Sequence, residues 1–253
     1  MPPYDFRTPR LFVDTPLAAG AEVLLERNQA NYLFNVLRVK RGDGVLLFNG
    51  RDGEWQAGVA GTGKRAASLT VGACVRAQPR AGDLHFLFAP LKHARLDYMV
   101  QKAVEMGVSL LQPVITQHTQ VARINLDRMR SNVIEAAQQC GVLSLPHVAN
   151  AIPFDQIGND AHRLLIFCDE GAEVTDPVAA LGAAKPTPGQ PLAVLIGPEG
   201  GFAEKERAAL LKLPKVMRIA LGPRILRADT AAVAALALVQ AVLGDWRPPA
   251  AKI

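Results

Sequence analysis

The sequence predicts an α/β protein, in which a parallel sheet flanked by helices follows a smaller β-rich unit. Three observations carry this expectation. Short apolar runs broken by Asn49-Gly50 and Asp52-Gly53 fill residues 1–75, strand-like and helix-like stretches alternate from Leu84 onward, and two strand-loop-helix cycles occupy Leu192 to Leu243. Such alternation implies parallel strands joined by crossover helices that cover the faces of the sheet.

Within residues 1–75, strands are expected at Arg10–Val13, Glu22–Leu25, Gly44–Phe48, Glu54–Val59 and Ala67–Val71, with one helix near Gln29–Leu37. Their spacing and turn residues suggest a small β-barrel. Residues 76–82 read as a linker, because composition shifts there from hairpins to alternating elements, and residues 83–253 form the second domain. Its elements are a strand at Leu84–Ala89, a helix at Arg95–Met106, a strand at Leu110–Ile115, a helix at Leu126–Cys140 and a strand at Arg163–Cys168. Leu96, Met99, Val100, Ala103 and Val104 fall on one face of the first of these helices, and Gly107 ends it. The two closing cycles place strands at Leu192–Ile196 and Val216–Leu221, and helices at Glu204–Leu213 and about Ala231–Leu243.

Composition restricts the class of function. The 253 residues are 49% hydrophobic and 20% charged, as in an ordinary soluble protein, and carry a net charge of +5, which favours an anionic partner such as nucleic acid. Cys74, Cys140 and Cys168 are odd in number and far apart, which gives neither a disulfide framework nor a zinc site and fits a reducing compartment. The opening Met1-Pro-Pro-Tyr-Asp-Phe-Arg lacks the apolar core of a signal peptide, and Ala231–Leu243 falls short of the ~20 residues that cross a bilayer, so a cytoplasmic location is expected. The run Gly58 to Lys64 has phosphate-loop spacing, but Arg65 stands where Ser or Thr must reach magnesium and strand-like residues follow, so it reads as a hairpin turn. No dinucleotide fingerprint, nucleophile elbow or metal spacing is present, and the five histidines are scattered.

The two glycine loops near the carboxyl terminus are the candidate site. Gly197-Pro198-Glu199-Gly200-Gly201 and Gly222-Pro223-Arg224-Ile225-Leu226-Arg227-Ala228-Asp229-Thr230 each leave the carboxyl end of an expected parallel strand. Open α/β sheets bind ligands at that edge, where strand ends and helix starts leave free backbone groups. The glycines of the first loop let main chain approach a ligand without interference from Cβ. In the amino-terminal β-rich unit Arg7 and Arg10 flank the first strand, Arg38, Lys40 and Arg41 cluster, and so do Lys64 and Arg65, which provides cations for phosphate.

Leu195-Ile-Gly-Pro-Glu-Gly-Gly-Phe202 with Glu206, and Leu221-Gly-Pro-Arg-Ile-Leu-Arg-Ala-Asp-Thr-Ala231, resemble the paired cofactor loops of the ribosomal RNA small subunit methyltransferase E family, within the SPOUT superfamily. Asn28–Gly50 resembles its PUA-like RNA-binding domain, and Gln101–Val108 and Glu135–Gly141 resemble its helices, so the likeness covers nearly the whole chain. The chain departs from the family at Thr116–Gln120, where Glu-Arg-Ser is common, at Val142, where arginine is common, and at Asp229, where glutamate is usual.

The resemblance implies a deep carboxyl-terminal trefoil knot, a homodimer, S-adenosylmethionine as cofactor and no metal, with methylation of N3 of a uridine in 16S rRNA. It implies that the backbone of Gly197, Pro198, Glu199, Gly200, Gly201, Leu221, Gly222 and Arg227 lies along the cofactor. It further implies that Leu195, Ile196, Ile225 and Leu226 pack its ring, and that the helix start near Thr230 and Ala231 offers N–H groups to its carboxylate or to Asp229 as a cap. Arg227 is the expected charge stabiliser, and Glu199 or Asp229 the proton acceptor. Lys92, Lys102 and Gln138 join the RNA contacts, although Lys102 and Gln138 read equally well as ordinary helix surface. The rival readings are a SPOUT enzyme with another RNA or atom as target, and a non-catalytic RNA-binding or ribosome-assembly protein.

Overall fold

The computed structural model describes residues 5, 7–62, 67–121, 123–158, 160, 162–173, 176–184 and 189–246. Two compact units emerge, one made of residues 1–80 with 137–145 and the other of residues 81–136 with 146–253. The return of 137–145 to the first unit has no counterpart in the sequence expectation, because nothing in a helical repeat records where its last turn docks.

The first unit carries β1 (Arg10–Phe12), β2 (Glu22–Leu24), α1 (Arg27–Asn31), β3 (Gly44–Phe48), β4 (Glu54–Thr62) and β5 (Ala67–Arg76). The five strands form one sheet in the order β1-β3-β4-β5-β2, with β1 and β3 parallel and the other pairs antiparallel. Alternate residues point inward, so Val45 and Leu47, Ala57 and Val59, and Leu69 and Val71 meet Leu33 in a single core. The expected helix at Gln29–Leu37 is α1 followed by a π-helical turn, Tyr32–Val36. β4 and β5 pair antiparallel from Glu54↔Arg76 to Thr62↔Ala67, as a hairpin requires; Lys64 and Arg65 lie outside the described residues. Gly50 and Gly53 hold φ of 82° and 87° in the expected turns.

One expectation fails here. Arg10 is not a surface cation: it is 7% exposed and its Nε donates to Glu54 Oε1 at 2.8 Å, while Arg76 Nε donates to the other oxygen of Glu54 at 2.8 Å. Period-2 alternation places Arg10 on the pleat next to buried Leu11, and the carboxylate opposite makes its burial tolerable. Gln138 also points inward, its Oε1 accepting the Phe12 N–H at 2.9 Å.

The second unit is a parallel sheet in the order β12-β10-β11-β6-β7-β8, with β9 also on β7. Its strands are β6 (Leu84–Phe88), β7 (Leu110–Ile115), β8 (His147–Val148), β9 (Ile152–Pro153), β10 (Leu164–Cys168), β11 (Leu192–Ile196) and β12 (Val216–Ile219). Its helices are α2 (His93–Glu105), α3 (Leu126–Cys140), α4 (Pro177–Ala183), α5 (Glu204–Leu210) and α6 (Ala228–Val242). Both faces of the central strands are covered, which is why β10 and β11 read as unbroken apolar runs. Leu87, Leu165, Phe167, Ala193 and Leu195 pack with Ile157, Phe202 and Leu210 on one side. The buried face of α2 is Leu96, Met99, Val100, Ala103 and Val104, the set read from the sequence.

α6 begins three residues earlier than expected, at Ala228, so Asp229 and Thr230 belong to its first turn and Arg227 is the N-cap. An acidic residue in the first turn suits the positive end of the helix. α6 packs against α2, α4 and β11. Its expected burial on all sides is only partial within the one chain: Ala232, Ala235, Leu236 and Val239 are buried, while Ala231, Val233, Ala234, Ala237 and Leu238 are half-buried and Ala241 is exposed. The one polar residue of its buried face, Gln240, donates from Nε2 to Met106 O at 2.6 Å and accepts from Asp245 N–H at 3.1 Å. Among the described residues no helix is long and apolar enough to cross a membrane.

Replacing Glu54 by Gln should lower the stability of the first unit by about 3 kcal/mol, because two guanidinium groups lose the one charge that offsets their burial. Urea unfolding followed by Trp55 fluorescence reads this; a change below about 1 kcal/mol contradicts it.

Candidate functional site

Parallel pairing brings the carboxyl ends of β6, β7, β10, β11 and β12 to one edge of the sheet. The loops that leave this edge are built from unlike parts. After β11, Gly197 has no room for a side chain, since a Cβ there would lie 2.9 Å from the Phe202 ring. Gly201 takes φ +69°, and a Cβ on it would collide with Glu170 Oε1. Between them Pro198 is buried and its carbonyl accepts the Gly201 N–H at 2.9 Å. Glu199 turns outward, with its carboxylate 3.6 Å from Arg95 Nη1 at the start of α2.

The loop after β12 stands more openly. Gly222 takes φ +104° with open space where a Cβ would be, and Arg224 and Arg227 are exposed. Ile225, expected to pack against a ring, is 90% exposed and touches no core within this chain. Leu195 and Ile196, given the same expected task, are 0% and 3% exposed, their side chains spent on the sheet's own packing. Leu221 and Leu226 are half-buried, as is Ala231, while Thr230 is exposed. The Asp229 carboxylate accepts the Thr230 N–H at 3.0 Å.

Two polar networks around the first loop escaped the sequence reading, which ended the third strand of the second domain at Cys168. Directly after it, Asp169 has a side chain with 0% exposure and receives Arg207 Nε at 3.1 Å and Arg218 Nη2 at 2.7 Å. Arg207 also reaches Glu170 at 2.7 Å and Glu204 at 2.9 Å, so a single guanidinium joins the end of β10 to α5. The second network links the β7 loop to the β11 loop. Glu206 is 7% exposed and accepts the Gln117 N–H at 2.8 Å on one oxygen and the Ala203 N–H at 2.9 Å on the other. His118 Nδ1 lies 3.2 Å from Gly200 O and 3.0 Å from Gly201 O. Charged residues immediately after a strand, and a Glu three residues beyond an expected helix cap, were the available signals.

The edge holds no activated thiol, since burial pushes the Cys168 thiol up to about 12. No cluster of three metal-ligating side chains occurs among the described residues. A cleft of about 230 Å³ lined by His85, Leu110, Arg163 and Lys215 sits at the opposite, amino-terminal ends of the strands and shares no residue with either glycine loop. Of the expected RNA contacts, Arg7, Arg38, Lys40, Arg41 and Lys92 are exposed. Lys102 is engaged with Glu105 at 2.7 Å and lies 5.5 Å over the Tyr98 ring.

Residues 78–240 match the family model described as an RNA methyltransferase domain, and residues 25–72 match one described as an RNA methyltransferase PUA domain. The chain belongs to the RNA methyltransferase family. Among relatives of this family, ribosomal RNA small subunit methyltransferase E of Rickettsia conorii is 28% identical over 91% of this chain and 94% of its own length. The protein of the same name from Synechocystis is 29% identical over 92% of this chain and 78% of its own. Among solved structures of the family, ribosomal RNA small subunit methyltransferase E of Neisseria gonorrhoeae bound to S-adenosyl methionine is 27% identical and superposes with a TM-score of 0.83 over 95% of this chain and 100% of that one. A Legionella pneumophila methyltransferase in complex with SAM gives 28% and 0.80 over 93% and 98%. The resemblance carried by the paired loops is thereby borne out.

Asp169→Asn should cost about 3 kcal/mol of stability, because two guanidinium groups then share a neutral amide. Chemical denaturation compared with the parent chain measures it, and an unchanged midpoint contradicts the pairing.

Proposed function

We propose that the chain transfers a methyl group from S-adenosylmethionine to N3 of a uridine in 16S rRNA. The observation that carries this reading is the pair of glycine loops at one edge of a parallel sheet, in a chain that spans 94% of the length of one relative named for rRNA methylation and 78% of another. The residues fit such a donor. Gly222 offers main chain with open space beside it. At the start of α6 the Asp229 carboxylate takes the Thr230 N–H and the Arg227 carbonyl the Ala231 N–H, so the Ala228 and Asp229 N–H groups, not those of Thr230 and Ala231, are the ones offered to a carboxylate. Ring packing is assigned to Leu226 and Leu221, with Leu195 and Ile196 as the floor beneath the loop.

The donor supplies an electrophilic methyl on a sulfonium. The N3 lone pair forms the new C–N bond as the C–S bond breaks, and the N3 proton goes to an acceptor. Alignment supplies most of the rate in such a displacement. Arg227, exposed at the N-cap of α6, donates to the uridine carbonyl oxygen on which negative charge grows. Glu199 or Asp229 takes the proton, directly or through water. N3 lies on the pairing edge, so the base is unpaired or flipped out when it reacts.

In this reading the first unit acts as a PUA-like barrel that holds RNA phosphates through Arg7, Arg38, Lys40 and Arg41, and Lys92 contributes from the catalytic unit. Arg10 and Gln138 are left out because their side chains are engaged internally. The half-covered apolar stripe of α6, from Ala231 to Ala241, supports a homodimer. The path of α6 from edge strand β12 back to β11 and α2 supports a trefoil knot. A cytoplasmic location follows from the substrate.

Arg227→Ala should reduce methylation at least 100-fold while changing donor affinity less than threefold. Calorimetry and a methyl-transfer assay on small-subunit RNA measure the two, and normal turnover removes Arg227 from the mechanism. Mass spectrometry of rRNA from a strain lacking the gene should show one N3-methyluridine lost; intact modification excludes this target, and loss of a different methyl group reassigns it.

A further inference from the structure

We infer that His118 is a positioning residue for the methyl-donor loop, an assignment that rests on the reading above. The two carbonyls it meets, those of Gly200 and Gly201, can only accept, so Nδ1 carries the hydrogen and donates to both, at 3.2 and 3.0 Å. One donor reaches two successive carbonyls because the chain reverses at Gly201, φ +69°. The ring also lies against this segment: a Cβ at Gly200 would be 3.6 Å from the His118 Cγ and 3.7 Å from its Nδ1.

A second bond series runs beside the first. Glu206 clamps the Gln117 N–H with one oxygen and the Ala203 N–H with the other. The loop that carries Gln117 and His118 is itself fixed by Thr119 Oγ1, which accepts the Thr116 N–H at 2.9 Å. The carbonyls of Gly200 and Gly201 carry no side chain that shields or steers them, and glycine has the widest choice of backbone conformations. His118 removes that choice from outside the loop. His118 stands in the loop after β7, so the donor loop is set from another strand end.

The test uses the full chain with two substitutions. His118→Phe keeps a ring and loses the donor, and His118→Asn loses the ring and keeps an N–H near the position of Nδ1. S-adenosylmethionine affinity is measured by calorimetry, and amide hydrogen exchange at Gly200–Phe202 is followed without the donor. His118→Phe should weaken donor binding about tenfold, the loss of one hydrogen bond of ordinary strength, and speed exchange at Gly201. His118→Asn should stay within threefold of the parent on both readouts, and neither should shift the thermal midpoint beyond about 2 °C. Equal binding in all three proteins, or equal weakening in both variants, overturns the assignment. If the parent itself binds no donor, the proposed function fails; the His118 contact is then judged by exchange alone, and unchanged exchange in His118→Phe rejects that too.

Discussion

Parallel pairing of β10 with β11 on one side and β12 on the other is the constraint on which the rest of the catalytic unit depends. It sends every connecting chain back across a face of the sheet and gathers the outgoing loops at one edge. A one-residue slip in either ladder would carry Phe167 or Leu195 from one packed face of the sheet to the other and aim both glycine loops elsewhere. The register is held by apolar residues that are fully enclosed, Ile166, Val194 and Phe167 among them. The site therefore borrows its precision from packing some distance beneath it.

Charge is placed with the same economy. Asp169 and Glu54 have side chains that are almost wholly enclosed, and each meets two guanidinium groups. An enclosed charge pair adds little net stability, because desolvation offsets attraction, but loss of one member is costly. Such pairs work as keys rather than glue. Asp169 keys the end of β10 to α5 and β12, and Glu54 keys β1 to the end of β5.

How much of this was legible in the residues depends on what kind of force fixed each part. The five longer strands of the parallel sheet were read almost to the residue, since enclosure on both faces leaves continuous apolar runs such as Leu192–Ile196, whereas the two-residue strands β8 and β9 are too short to leave a pattern and were not read. The buried face of α2 was read for the same reason, through its 3.6-residue period. Helix starts were less legible: α6 begins at Ala228 because Arg227 is already extended, and no capping side chain marks the place. The inward turn of Arg10 and the docking of Gln138 depend on partners 44 and 126 residues away, which no local pattern records. The outward turn of Ile225 runs against its apolar character, and the bonds of His118 and Asp169 join loops far apart in the chain. Paired motifs identified the loops; only coordinates reveal what braces them.

Gln240 is one amide within an otherwise oily helix, and it acts on α6 as a keyway acts on a shaft. Its hydrogen bonds to Met106 and Asp245 are satisfied at a single angular setting. A Cβ on Gly107 would lie 3.0 Å from its Nε2, which leaves little slack for another setting. α6 spans about 22 Å, with this lock near one end and Arg227 at the other. Roll of the helix moves the Arg227 guanidinium at the far end, so under the role proposed for Arg227 its aim is calibrated at the opposite end of the helix, by a residue buried well away from the glycine loops.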